Sequence, residues 1–101
     1  MQASVSAASG RAVVYLSGRF DFNAHREFRD ITESAVADGA VHEILVDLGG
    51  VDYLDSSALG MLLMLRDRAR TSGKRVALAN CKGSVRQVLD IANFGKLFSL
   101  G

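Results

Sequence analysis

Two adjacent serines pose the first chemical question in this chain. Ser56 and Ser57 follow Asp55 in the run Val51-Asp52-Tyr53-Leu54-Asp55-Ser56-Ser57-Ala58-Leu59-Gly60. A strand-like segment, Ile44 to Leu48, precedes the run, and an apolar helix-like segment, Met61 to Ala69, follows it. The serines therefore fall where a strand-to-loop connection becomes the first turn of a helix. The first N–H groups of a helix lack intrahelical partners and the macrodipole is positive there, so the position tolerates an anion. A serine at such a place is either a plain cap or a hydroxyl that accepts a phosphoryl group. Capping by Asp55 or Ser56 accounts for one small polar residue. It does not account for Ser57, Gly60 and Met64 lining up on the outer side of an apolar helix. Glycine inside a helix costs about 1 kcal/mol relative to alanine. Beside an exposed methionine it suggests close approach by another backbone, either a partner's or the domain's own.

Catalytic chemistry has weaker signals. A Ser–His–Asp hydrolase would pair Ser57 with His25 or His42. His42 precedes the central strand, at the end away from Ser57, whereas His25 starts the first helix and could come nearer. The chain has no G-x-S-x-G elbow and no glycine-rich loop suited to an oxyanion hole. It also lacks a Walker A loop and a G-x-G-x-x-G run, and Gly49-Gly50 is too short to cradle a phosphate. His25, His42 and Cys81 lack metal-ligand spacing, so neither a metal nor another cofactor is expected. Cys81 precedes the third helix and reads as a small, partly buried hydrophobe or as a low-pKa thiol near a helix start. Both histidines read as surface residues.

Bulk properties narrow the class further. A length of 101 residues suits one domain over 1–101 with one core. Hydrophobic residues make up 49%, enough to build that core. Twelve Lys and Arg against 11 Asp and Glu leave a net charge of +1, which argues against nucleic acid or an anionic membrane surface as the main partner. Met61 to Leu65 is too short to span a bilayer. The N-terminus shows no secretory signal, and a single cysteine forms no internal disulfide, which together suggest the cytoplasm. The domain reads as self-sufficient as a monomer.

The elements that must position Ser57 follow from periodicity. Val5 to Ala8 is a weak strand, Gly10-Arg11 a turn, and Ala12 to Leu16 a stronger β-branched strand, together a hairpin. The segment Gly18-Arg19-Phe20-Asp21 leaves that strand. A helix starts near Asn23, with Ala24, Phe28, Ile31 and Ala35 as its apolar stripe, and stops at Asp38-Gly39. Ile44 to Leu48 suits a buried strand. The next helix runs from Ser56 to Thr71, with Ala58, Met61, Leu62, Leu65 and Ala69 facing the core. Arg75 to Ala79 is a strand, Asn80 to Gly83 a loop, and Ser84 caps a third helix with the stripe Val85, Val88, Leu89 and Ala92. Asn93-Phe94-Gly95 breaks that helix, and Leu97-Phe98 packs back on the core. The order β-β-α-β-α-β-α predicts an α/β fold: an opening hairpin, then parallel βαβ crossovers, with a mixed sheet covered on one side by helices.

The stretch Leu54-Asp55-Ser56-Ser57-Ala58-Leu59-Gly60 after Ile44 to Leu48 resembles the signature of the STAS-domain anti-sigma factor antagonists. Gly18-Arg19-Phe20-Asp21 and the helix Val85-Arg86-Gln87-Val88-Leu89 match the same pattern, so the resemblance covers nearly the whole chain. Within the family, Gly18 to His25, Leu54 to Leu65 and Leu78-Ala79-Asn80-Cys81 are most similar to a secretion-and-biofilm anti-anti-sigma factor governed by a histidine-phosphotransfer pathway. The resemblance implies a non-catalytic binding module. The unphosphorylated protein binds an anti-sigma factor, often a GHKL-type serine kinase, and frees a sigma factor; a PP2C-type phosphatase reverses the kinase. By motif position the phosphosite falls on Ser57. Ser56 is its neighbour, and Asp21 and Asp55 fall where the family places acidic residues. Partner contact is expected at Asp21, Asp55, Ser56, Ser57, Gly60 and Met64. Ala58 departs from the usual glycine, which affects turn stiffness without removing the hydroxyl. A related expectation keeps the fold without the switch, as a STAS subunit of a transporter or lipid-trafficking complex.

Overall fold

A tight hairpin starts the sheet. In the computed structural model, which describes residues 1–101, β1 (Gln2–Ala8) pairs antiparallel with β2 (Arg11–Phe20). Ser9 and Gly10 join them, both in the left-handed region at φ 54° and 82°, as a two-residue hairpin turn needs. A short 3-10 turn, Phe22–Ala24, leads into α1 (His25–Ala37). Then follow β3 (Glu43–Leu54), α2 (Ser56–Thr71), β4 (Arg75–Ala79), α3 (Gly83–Ile91), a second 3-10 turn at Phe94–Lys96 and β5 (Ser99–Leu100). The sheet order is β1-β2-β3-β4-β5, parallel from β2 onward. Each new strand adds to the same edge, so right-handed crossovers carry the three helices over one face.

Burial follows the pleat. Ala12, Val14 and Leu16 of β2 and Ile44, Val46 and Leu48 of β3 are buried, while Tyr15 and Asp47 lie on the opposite, more open face. The buried residues of α2 are Ala58, Met61, Leu62, Leu65 and Ala69, the stripe its spacing predicts. In α1, Ala24 just ahead of it, Phe28 and Ala35 are buried as expected, but Ile31 is only partly covered and Thr32 is fully buried. That burial is tolerated because the Thr32 hydroxyl donates to the Phe28 carbonyl at 2.7 Å and accepts from Arg68 at 3.2 Å.

Four expectations need correction. β2 does not end at Leu16 but continues to Phe20, and β3 does not stop at Leu48 but continues to Leu54. No loop therefore separates β3 from Asp55. The two strands stay paired because β3 bulges twice: Tyr15↔Asp47 is followed by Ser17↔Gly50, and Gly18↔Val51 by Arg19↔Tyr53. Gly50 permits the first bulge, since a Cβ there would lie 2.8 Å from the Ser17 Cβ. Secondly, Ser84 does not cap α3; Lys82 holds the N-cap position without a side-chain bond. Thirdly, the chain end forms a strand, β5, too short to carry a periodic pattern. Finally, Phe98 packs inward against Phe94 at 5.4 Å between ring centroids, whereas Leu97 stays largely exposed.

Candidate functional site

Asp55 organises the site. It leaves β3 in an extended conformation, and its two carboxylate oxygens do different work. Oδ1 accepts from the Ala58 N–H at 2.9 Å and so caps α2. Oδ2 accepts from the Phe22 N–H at 3.3 Å and ties the β2–α1 connection to the head of α2. Asp21 caps the 3-10 turn in the same manner, with Oδ1 accepting from the Asn23 N–H at 3.0 Å. Its other oxygen faces Arg19 Nε at 3.4 Å, and the Arg19 guanidinium lies 4.1 Å from the centre of the Tyr53 ring. Of the two acidic residues expected at a partner surface, Asp55 thus also fastens two distant elements together, while Asp21 bonds only to groups two residues away. Asp52, nearby and exposed, adds further negative charge.

The helix begins with Ser56 exposed and Ser57 half-buried. Neither hydroxyl is the cap, since Asp55 holds that role. Arg68 Nε is the one buried side-chain polar atom without a hydrogen-bond partner. The Ser57 hydroxyl, which bonds to no other group of the protein, is therefore open to water. It stands at the positive end of a helix of 16 residues. One turn on, a Cβ at Gly60 would meet nothing within 4 Å. Packing inside the domain thus gives no reason for that glycine, which removes one of the two explanations the sequence allowed. Met64, a further turn along, is 55% exposed.

Two apolar residues beside the serines carry no periodic signal and were missed by sequence reasoning. Phe22 is 71% exposed and Tyr53 41%. The available clue was position: each directly follows an aspartate, Asp21 or Asp52, within a segment that resembles a family motif. A groove of about 300 Å³ between α1 and α2 continues the surface, lined by His25, Phe28, Arg29, Met61, Met64 and Arg68.

The other candidate groups separate from this site. His25 is exposed at the start of α1, and His42 precedes β3 at the far end of that strand; neither hydrogen-bonds Ser57. Cys81 is buried, and burial pushes its thiol above the usual range, opposed in part by Arg86. The low-pKa reading of Cys81 is therefore incorrect. No helix is long and apolar enough to cross a membrane.

Comparison with known proteins agrees with this architecture. The family model described as "Mlab, STAS domain" matches residues 3–100. The STAS-domain containing protein PA14_20770 of Pseudomonas aeruginosa (strain UCBPP-PA14) is 45% identical over 95 residues, covering 94% of this chain and 92% of that protein. The anti-sigma F factor antagonist of Lysinibacillus sphaericus is 29% identical over 84 residues, covering 82% of this chain and 71% of the relative. The phosphorylated form of the Bacillus cell fate determinant SpoIIAA shares the fold, with a TM-score of 0.75 at 22% identity over 99% of this chain and 91% of that one. With the family pattern running from one end to the other on a mixed sheet of matching topology, the chain belongs to the STAS-domain family.

Proposed function

We propose that this protein is an anti-sigma factor antagonist switched by phosphorylation of Ser57. Without phosphate it binds an anti-sigma factor through the head and outer face of α2, and so frees a sigma factor. The observation that carries the reading is the water-open, unbonded Ser57 hydroxyl at the N-terminus of α2, beside a glycine that the domain's own packing does not need. Exposed Phe22, Tyr53 and Met64 supply apolar area around it. Asp21, Asp55 and Ser56 shape the rim. A relative of the same fold exists in a phosphorylated form, which gives the switch a precedent.

The switch works by charge. A phosphate adds about −1.5 to −2 charge and three acceptor oxygens. The α2 N-terminus offsets part of it, so the fold survives. A partner surface that covered the neutral hydroxyl would instead bury an unmatched anion, beside Asp52 and Asp55. A loss of about 3 kcal/mol is more than a hundredfold in affinity. The phosphoryl group comes from a serine kinase, a GHKL-type anti-sigma factor itself, and leaves through a PP2C-type phosphatase. The protein is a substrate in this cycle and catalyses nothing. It acts as a monomer in the cytoplasm, in a histidine-phosphotransfer setting.

The test compares Ser57→Ala and Ser57→Asp in binding to the purified anti-sigma factor. Ser57→Ala should bind like the unmodified protein, and Ser57→Asp should lose most binding while melting at a similar temperature. Equal binding by the two variants defeats the switch. If phosphopeptide mass spectrometry after incubation with the kinase finds no modified Ser57, the non-switching subunit reading takes its place.

A further inference from the structure

Arg68 is a cation that the fold positions without giving it an anion. It stands in the last turn of α2, where a positive side chain complements the helix dipole. Its guanidinium nevertheless bonds none of the terminal carbonyls. Its one hydrogen bond runs across to α1, from Nη2 to the hydroxyl of fully buried Thr32 at 3.2 Å. That bond holds the half-buried side chain between the two helices. No carboxylate lies within ion-pair distance of it. Nε is the one buried side-chain polar atom without a partner. Nη1 also bonds to no group of the protein, so it is open to solvent. A guanidinium fixed on one edge and free on another is prepared for a carboxylate.

Arg68 lines one end of the groove of about 300 Å³ between α1 and α2. The two helices run parallel, their heads tied by the bond from Phe22 to Asp55 and their later turns by the bond from Arg68 to Thr32. From His25 to Glu33 the groove follows about 12 Å of helix. Buried Phe28 and Met61 and exposed Met64 make its apolar surface. Its charged end sets Arg29 and Arg68 against a single acid, Glu33. Glu33 faces Arg29 at 4.0 Å, which leaves Arg68 as the uncompensated charge.

We propose that this groove binds a medium-chain fatty acid, its carboxylate on Arg68 and its alkyl chain running over Met64, Phe28 and Met61 toward His25. One carboxylate balances the one free charge, whereas a more highly charged anion would bring surplus negative charge beside Glu33. Methionine side chains are flexible and polarizable, so Met61 and Met64 can follow an alkyl chain that has no fixed shape. A volume at the small end of the range for ligand sites suits a medium chain better than a long one. An acidic side chain of a partner protein is the competing occupant. The proposal stands whether or not Ser57 is a phosphosite, because no part of it uses that hydroxyl.

Amide NMR titration of the full chain tests this with three probes: octanoate, decanoate and octylamine. Octanoate should saturate shifts at residues 25–33 and 61–68. Decanoate, with its longer chain on the apolar surface, should bind about fivefold to tenfold tighter. Octylamine, of the same chain length and opposite charge, should bind at least about tenfold more weakly. Arg68→Gln should weaken octanoate by about tenfold and abolish its advantage over octylamine. Met64→Asp, at an exposed position that spares the core, should weaken octanoate by a similar factor, while Arg26→Gln should not. The proposal is overturned by no saturation up to about 10 mM octanoate. Decanoate no tighter than octanoate overturns the alkyl contact, and octylamine equal to octanoate overturns the carboxylate. Unchanged affinity in Met64→Asp overturns the location even if Arg68→Gln fails to fold. If octanoate does not bind but Arg68→Gln weakens anti-sigma factor binding, the groove takes a partner's acidic side chain and the fatty acid is excluded.

Discussion

At the scale of single residues, the head of α2 shows how one side chain can serve structure and another stay free for chemistry. Asp55 spends both oxygens on backbone N–H groups, one in its own helix and one across in the β2–α1 connection. Ser57 is thereby relieved of capping. Replacing Asp55 with alanine should cost about 1–2 kcal/mol, the worth of a cap. For a domain of this size the loss should lower the melting temperature by several degrees; thermal unfolding followed by circular dichroism measures it. Cys81 illustrates the reverse case, a reactive group made inert. Burial raises its pKa, so the folded state binds the proton more tightly than the unfolded state. Its contribution to stability is therefore complete below the unfolded thiol pKa of about 8.5 and is lost as pH rises through the folded value. At pH 8 iodoacetamide should alkylate Cys81 much more slowly in the native protein than in urea. A native rate equal to the unfolded rate would contradict its burial.

At the scale of elements, stripes at helical spacing were legible and strand ends were not. The five core positions of α2 needed only the 3.6-residue repeat. β3 looked finished at Leu48 because Gly49-Gly50 reads locally as a break. In the fold those glycines let β3 bulge past β2 and carry on to Leu54, delivering Asp55 straight onto α2. Gly60 offers the sharpest test of an element made for a partner. Its missing side chain leaves open space, so Gly60→Ala should stabilise α2 by about 0.5–1 kcal/mol. The same substitution should weaken anti-sigma factor binding if a partner backbone approaches there. Urea titration and a binding assay on one variant separate the two effects; greater stability with unchanged affinity would take Gly60 out of the interface.

At the scale of the whole molecule, all three helices and the sheet share one cluster of 24 buried apolar residues. Such a core should unfold cooperatively. Leu65→Ala, at a fully buried position, should cost about 2–5 kcal/mol, a large share of the 5–15 kcal/mol typical of a domain. Urea unfolding should show an earlier midpoint with an unchanged slope. The net charge of +1 hides a division that also belongs to this scale. Asp21, Asp52 and Asp55 surround the head of α2, while Arg66, Arg70, Lys74 and Arg75 meet at its tail.

The order of elements, the α2 stripe, and a serine pair at a helix start are local properties, decided by periodicity and by backbone groups within a few residues of each other. The chain by itself therefore determined the class of fold and put a serine pair at the head of α2; the choice of Ser57 as candidate phosphosite rests on the family resemblance. The second bond of Asp55, to the Phe22 N–H, the opening of the Ser57 hydroxyl, and the absence of an internal neighbour at Gly60 depend on residues 20 or more positions away. So does the seat of Arg68 between the helices, which needs α1 to bring Thr32 against α2. Contacts of that kind are chosen by strand pairing and helix docking, and only the tertiary structure brings their two sides together.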